Sequence, residues 1–391
     1  MKTVGLFAGI GGIELGLHRS GHETVLLCEV DAGAQAVLRK RFRGVPLESD
    51  VREMRALPSG VELLAAGFPC QDISQAGMTA GIDGQHSGLI YEVFRLLRRQ
   101  RVPWVLIENV PFMLQLGRGK AMEVIASTFE AFGYAWAYRI VDTRSFGVPQ
   151  RRKRVFFLAS TLADPRTVLF ADDAGEPIEP DYRGRACGFY WTEGLRGLGW
   201  AVDAVPTLKG GSTVGIPSPP AIWRPEGAIV TPEIRDAERL QGFAADWTAP
   251  VADVVRPTFR WKLVGNAVSV PTAEWIGRRL VRPGPPVVEA GAELEPGSPW
   301  PSAAAAADGV RRRYAVSHFP EAVRRRSLTE FMQYPTKPLS ARAAAGFVSR
   351  LRKSGLDYPA EFLAALEEHI AVAEREGSGG GGRELEPVAC G

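Results

Sequence analysis

Sulfur is scarce in this sequence. Of 391 residues only four are cysteine, at positions 28, 70, 187 and 390. That spacing fits neither a disulfide framework nor a zinc site, and so thin a supply of thiols points to a reducing compartment, the cytoplasm. Net charge is also nearly absent. The chain carries 47 basic and 44 acidic residues, a balance of +3, which by itself indicates no nucleic-acid partner. Lysine is rare among the basic residues and arginine dominates. Arginine is the better ligand for phosphates and base edges, but a GC-rich coding bias, which also inflates Ala, Gly and Pro, would give the same ratio. No apolar run approaches the roughly 18 residues of a membrane span. The N-terminal 17 residues resemble a signal peptide only distantly, because glycines come early and Glu14 interrupts the apolar stretch.

Hydrophobic residues make up 45% of the chain and charged residues 23%. Such a chain buries a sizeable core and, at roughly 100–200 residues per domain, forms two or three domains. Residues 1–160 alternate short apolar runs (3–7, 24–28, 61–66 and 104–107) with longer mixed segments such as 31–42 and 89–99. This alternation predicts an α/β fold, a parallel sheet with helices on both faces and ligands beyond the carboxyl ends of its strands. No helix is expected ahead of the first strand. Residues 161–230 are rich in Pro, Gly, Asp and Trp and predict a small irregular domain. Regular patterning returns at 232–243 and 265–281. Residues 283–309, rich in Pro, Gly and Ala, predict a linker. Residues 310–376 predict a helical extension, in which Ser340 caps one helix and Pro359 opens another with Phe362, Leu366 and Ile370 on one face. Residues 377–391 read as a flexible tail.

The residues suited to chemistry stand at the ends of the predicted strands. Phe7-Ala8-Gly9-Ile10-Gly11-Gly12 follows the first. Its glycines allow a tight turn and close approach to a ligand. A dinucleotide fingerprint would need a third glycine at position 14, where Glu14 stands, so a pyrophosphate cofactor fits poorly. Glu29 ends the second strand, where an acid can accept both hydroxyls of a ribose, and Asp50 follows the third region. Pro69 stiffens the loop that carries Cys70. Glu108-Asn109-Val110 ends another strand. Gln150, Arg152 and Arg154 alternate along an extended segment and would share one face.

In this order the motifs closely resemble those of the DNA cytosine-5 methyltransferases. Arg239-Leu240-Gln241-Gly242-Phe243 and Gly265-Asn266-Ala267-Val268 continue the match, which reaches about residue 282. The resemblance implies a Rossmann-like S-adenosylmethionine-dependent methyltransferase sheet in residues 1–160 and 236–282, with target recognition in residues 161–235. It implies that Cys70 adds to carbon-6 of cytosine, that Glu108 binds the ring nitrogen, and that Arg152 and Arg154 lie beside the ring carbonyl and the thiol. Pro69 and Asn109 would shape the cysteine loop. S-adenosylmethionine would be the cofactor, held by Phe7, Gly9, Gly11, Glu29, Asp50, Leu89, Asn266 and Val268, with no metal required. Gln71, Ser74, Gln150, Thr207 and Lys209 are the expected DNA contacts. Cys28, Cys187 and Cys390 would be bystanders. The expected setting is a bacterial restriction-modification system, since no chromatin-type domain precedes the catalytic one. A monomer acting on double-stranded DNA in the cytoplasm, on the nucleoid, would serve beside a cognate endonuclease. Two rival readings remain, a tRNA cytosine methyltransferase on the same scaffold and a DNA-binding protein with a silent site. Residues 301–355 carry 11 Lys and Arg against 3 Asp and Glu. Two arginine triplets, 311–313 and 324–326, give this stretch the look of an additional phosphate-binding surface.

Overall fold

A computed structural model describes residues 1–68, 88–211 and 217–379. Its frame is a nine-stranded sheet. Strands β1 (Lys2–Leu6), β2 (Glu23–Cys28), β3 (Leu47–Glu48), β4 (Leu63–Ala66) and β5 (Trp104–Asn109) run parallel in the order β3-β2-β1-β4-β5. Beyond β5 the sheet turns antiparallel. β6 (Ala135–Asp142) and β8 (Lys153–Ser160) extend it as β5-β8-β6. The short β7 (Gln150–Arg151) lies outside this sheet.

The parallel half is buried on both faces, which explains its near-continuous apolar runs. In β4 alternate residues serve two cores: Leu64 and Ala66 pack on one side, Leu63 and Ala65 on the other. Helix α1 (Gly12–Arg19) follows the glycine turn, and α2 (Ala32–Arg41) is capped by Asp31, whose carboxylate accepts from the Gly33 and Ala34 amides. Helix α3 (Leu89–Arg99) buries Ile90, Val93, Phe94 and Leu97 in the first core, together with α4 (Lys120–Ala131). Ile13 and Leu17 of α1 share the second core with Trp275 and Ile276, as detailed below.

The next segments form a second module. Strands β9 (Cys187–Phe189), β10 (Ala201–Val202), β12 (Ala221–Trp223) and β13 (Ile229–Thr231) build an antiparallel sheet, while β11 (Val205–Pro206) pairs in parallel with β7. The chain then returns to the first domain through α5 (Ile234–Leu240), α6 (Arg260–Asn266) and α7 (Val270–Val281). Helix α7 packs directly on α1. A Cβ on Gly16 would fall 2.6 Å from Ala273 Cβ, so only glycine permits that approach.

Residues 283–309 and the extension depart from expectation. The predicted linker contains β14 (Ala303–Ala306), which pairs antiparallel with β6 and so extends the main sheet. Ala304 and Ala306 enter one core, Ala303 and Ala305 the other. The arginine triplet 311–313 is β15 (Arg311–Arg313), the edge strand beyond β14. Arg311 is not free for phosphate. It donates to Glu123 and Glu130 of α4 at 2.7–2.8 Å and lies over the Trp300 ring. Further on, β16 (Lys337–Pro338) pairs with β13, and helices α8 (Ala341–Arg352) and α9 (Ala360–Gly379) pack on the second sheet. The predicted helical extension is therefore divided: its first part extends the main sheet and its second part completes the second module. Ser340 caps α8, and Phe362 and Leu366 of α9 are fully buried. Among the described residues no helix is long and apolar enough to cross a membrane.

Candidate active site

A cleft of about 610 Å³ opens at the carboxyl ends of β1, β2, β4 and β5, where a sheet of this kind offers loops and helix starts to a ligand. Phe7 and Gly9 come from the turn after β1, Glu29 from the end of β2, and Asp50 from the loop after β3. Leu89 begins α3, and Asn266 ends α6. Both Phe7 and Gly9 have positive φ, 55° and 56°. A side chain on Gly9 would point into open space, so at this point the backbone itself faces the cleft. The Glu29 carboxylate is fixed by the amides of Gly9 (2.7 Å) and Asp31 (2.8 Å). Each of its oxygens keeps a lone pair for a hydroxyl donor. Burial raises its pKa above the ordinary carboxylate range, partly offset by those amides. Asp50 also faces the cleft, but Arg52 grips both its oxygens and holds its pKa down.

Two expected cofactor residues lie behind the wall. Gly11 takes φ 82° as the N-cap of α1, packed against Phe42 and Leu38. Val268 is buried, and its carbonyl presses on Gly12.

At the deep end of the cleft stand Glu108 and Arg154, 3.0 Å apart and mostly buried. Burial pushes the Glu108 carboxyl up, and the nearby guanidiniums of Arg154 and Arg152 counter this only in part. Asn109 donates to the carbonyl of Phe68 (3.0 Å) and accepts from the amide of Val110 (2.9 Å). Phe68 immediately precedes Pro69 and Cys70 in the sequence, so this amide fixes the residue at which the described chain ends before them. Pro69, Cys70, Gln71 and Ser74 themselves lie outside the described residues, as does Cys390. Cys28 and Cys187 are buried, and burial pushes both thiols up to about 12. Neither is a reactive thiolate.

The three residues expected on one face separate. Arg154 lines the cleft, whereas Arg152 is wholly buried and does not. Its guanidinium donates to the carbonyls of Leu208 (3.2 Å), Gly265 (3.3 Å) and Ala267 (2.6 Å). It ties the segment after β11 to the segment that lines the cleft. Gln150 is buried as well. It donates to Leu240 O (2.7 Å) and accepts from the Leu208 amide (3.0 Å), so it offers DNA no free group. Strand alternation failed here because the ladder breaks at Arg152, between β7 and β8.

Thr207 and Lys209 follow β11 at the rim. The Thr207 hydroxyl donates to Arg151 O (2.9 Å). Lys209 pairs with Glu193 and sits 3.6 Å above the Tyr190 ring. Lys209 runs so close to Gly265 that a Cβ there would fall 2.2 Å from the Lys209 carbonyl carbon. Tyr190 and Glu193 were missed from sequence. They belong to no motif, and their proximity to Lys209 arises only when β9 folds back. Lys262, beside the cleft and paired with Asp31 (3.2 Å), was missed for the same reason.

Comparison with known proteins fits this geometry. The family model for C-5 cytosine-specific DNA methylases matches residues 1–168. Type II methyltransferase M2.BsuMI of Bacillus subtilis (strain 168) is 50% identical over 384 residues, covering 94% of this chain and 97% of that protein. The chain belongs to the C-5 cytosine-specific DNA methylase family. It is a DNA (cytosine-5-)-methyltransferase of the restriction-modification type. Type II methyltransferase M.MspI of Moraxella sp is 27% identical over 71% of this methyltransferase and 70% of its own length. The crystal structure of S. pombe Dnmt2 methyltransferase shares the fold, with a TM-score of 0.52 at 16% identity, over 72% of this chain and 98% of that one. Enzymes of the C-5 methylase family take their methyl group from S-adenosylmethionine. The match to M2.BsuMI leaves too little of this methyltransferase uncovered to exclude the C-terminal extension, whereas M.MspI covers much less.

Proposed function

We propose that this enzyme transfers a methyl group from S-adenosylmethionine to carbon-5 of cytosine at a specific sequence in duplex DNA. The reaction runs through a covalent adduct between Cys70 and carbon-6 of a flipped-out base. The observation that carries this reading is the buried Glu108–Arg154 pair in a cleft also lined by Phe68, two residues before Cys70 in the sequence.

Carbon-5 of cytosine is a poor nucleophile. Thiolate addition at carbon-6 turns the ring into an enamine whose carbon-5 can attack an electrophilic methyl group. Glu108, biased by burial toward its neutral form, donates to ring nitrogen 3 as charge develops. Arg154 favours negative charge at the neighbouring carbonyl. Removal of the carbon-5 proton and expulsion of Cys70 complete the reaction. The target atom is out of reach in a stacked duplex, so the base must leave the helix. Pro69, Gln71 and Ser74 accompany Cys70 in the loop that would close on it. Thr207 and Lys209 are the proposed DNA contacts at the rim.

S-adenosylmethionine, when bound, supplies an electrophilic methyl sulfonium. The residues present fit it: Gly9 leaves open space at the cleft, Glu29 can accept from ribose hydroxyls, and Asp50 keeps outward acceptor capacity. Phe7, Leu89 and Asn266 would complete its walls, with Gly11 and Val268 supporting them from behind. The biological role we propose is protection of host DNA in the cytoplasm, by a monomer, against a cognate endonuclease.

Transfer of labelled methyl groups tests the reading, with duplex DNA and tRNA offered in parallel. Duplex DNA should be labelled and tRNA should not; labelled tRNA alone would favour the rival substrate. Cys70→Ala should abolish transfer and retain S-adenosylmethionine binding. A duplex carrying 5-fluorocytosine should trap wild-type enzyme covalently, because fluorine blocks loss of the carbon-5 proton. Turnover by Cys70→Ala would refute the covalent route.

A further inference from the structure

We propose that Arg350, on helix α8 of the C-terminal extension, is a positioning residue for target discrimination: it fixes the turn that sets Glu193 against Lys209. The proposal rests on the DNA reading above and extends it to a part of the chain outside the catalytic motifs.

The recognition module is not continuous in sequence. Its sheet runs β10-β9-β12-β13-β16, and the last strand comes from the extension. Its core joins Phe189 and Ile229 of the sheet to Phe347 and Leu351 of α8 and Phe362 of α9. Phe189 meets Phe347 and Phe362 at ring distances of 5.1 and 4.9 Å. The extension therefore supplies one wall of the module rather than an independent surface.

One polar contact projects from that wall toward the site. Arg350 donates through Nε to the carbonyl of Glu193 and through Nη2 to the carbonyl of Trp191, both at 2.7 Å. These carbonyls belong to the turn after β9, which closes as Tyr190 donates to Leu198 O and Gly194 to Gly197 O. Gly194 takes φ 104° and presses on the Phe347 ring, where a Cβ would fall 2.9 Å from it. Backbone position is thus set from α8, while the Tyr190 and Glu193 side chains of the same turn meet Lys209. There Glu193 pairs with Lys209, Lys209 covers the Tyr190 ring, and the Tyr190 hydroxyl donates to Thr207 O (2.5 Å). Lys209 and Gly210 in turn lie on Gly265 and Asn266 at the cleft.

A carboxylate at a DNA-facing rim repels phosphates but accepts hydrogen bonds from base amino groups. Half exposed and fixed beside Lys209, Glu193 presents an acceptor next to a donor. Such a pair reads base edges only when its backbone is held in place. Arg350 is the residue that holds it.

The test measures kcat and KM on the duplex that wild-type enzyme methylates, and on duplexes with each base pair of that site changed singly. The site itself is read from bisulfite sequencing. A lost base contact typically costs about tenfold or more in discrimination. Arg350→Ala should lower the cognate-to-changed ratio of kcat/KM about tenfold at one or two positions, raising cognate KM more than it lowers kcat. Its S-adenosylmethionine affinity should stay at the wild-type value. Arg350→Lys, able to reach one carbonyl at a time, should give an intermediate ratio. Glu193→Gln leaves the Arg350 bonds in place and should reproduce the loss at the same positions, so it decides the matter if Arg350→Ala does not fold. Ratios within about twofold of wild type in Glu193→Gln and every folded Arg350 variant would overturn the proposal. So would an equal loss of kcat on all duplexes with the ratio preserved. Wild-type enzyme inactive on every duplex would instead fail the functional reading, and this proposal with it.

Discussion

Glu14 is the residue most at odds with its surroundings. It lies wholly buried in α1, with Oε2 unpartnered, in space left by Gly5 of β1. Burial pushes its pKa up from the ordinary 4.5 to about 7. Between those values the native state binds more protons than the unfolded chain, so stability falls as pH rises and levels off above about 7. Glu14→Gln should therefore gain up to about 3 kcal/mol at pH 8 and almost nothing at pH 4. Urea melts at the two pH values check this, and an equal gain at both would contradict it. Glu108, also buried, differs in having Arg154 as a partner. Glu108→Gln should lower kcat by ~10²–10⁴, measured on duplex DNA, without loss of S-adenosylmethionine binding. Residue placement was legible where a side chain stood at a strand end: Glu29, Glu108 and Arg154 all line the cleft. Placement was illegible at Arg152 and Gln150. A guanidinium or amide in a strand can face a ligand or the carbonyls of another segment, and only the folded path of residues 208 and 265–267 decides between them.

At the scale of elements, short runs of small residues proved hardest to read. Five consecutive alanines, 303–307, carry no period and stand in a stretch rich in Pro and Gly, yet Ala303–Ala306 is a fully buried strand. Alanine suits it because both faces are covered and space there is narrow. Three arginines in succession make a strand at β15 because an edge strand tolerates charge. Removal of the chain beyond residue 300 should consequently unfold the catalytic sheet rather than trim a DNA-binding arm; loss of the cooperative thermal transition would reveal it. Arg311→Ala is the finer test. Loss of its bonds to Glu123 and Glu130 should cost about 1–3 kcal/mol, seen as a lower Tm. The salt dependence of DNA binding should not change, because these contacts face α4. A flatter salt slope at unchanged Tm would show that Arg311 meets phosphate instead.

The whole molecule is two modules sewn together by the order of the chain. The main sheet joins strands from residues 2–160 to β14 and β15, and the second sheet joins strands from residues 187–231 to β16. The parallel half and its strand-end motifs were readable because hydrophobic alternation and chemistry coincide there. The long-range pairings were not, since β14 with β6 and β16 with β13 join segments more than a hundred residues apart, and no local pattern records them. The cleft sits at the seam, where Arg152 bonds Leu208, Gly265 and Ala267 and Asn109 bonds Phe68. Bisulfite sequencing of DNA from a host expressing wild-type enzyme or Cys70→Ala is the most direct test of sequence-specific methylation through Cys70. Wild-type DNA should carry methylated cytosine in one recurring sequence, and the Cys70→Ala sample should carry none above background. Methylation without a recurring sequence, or the same pattern in both samples, would contradict it.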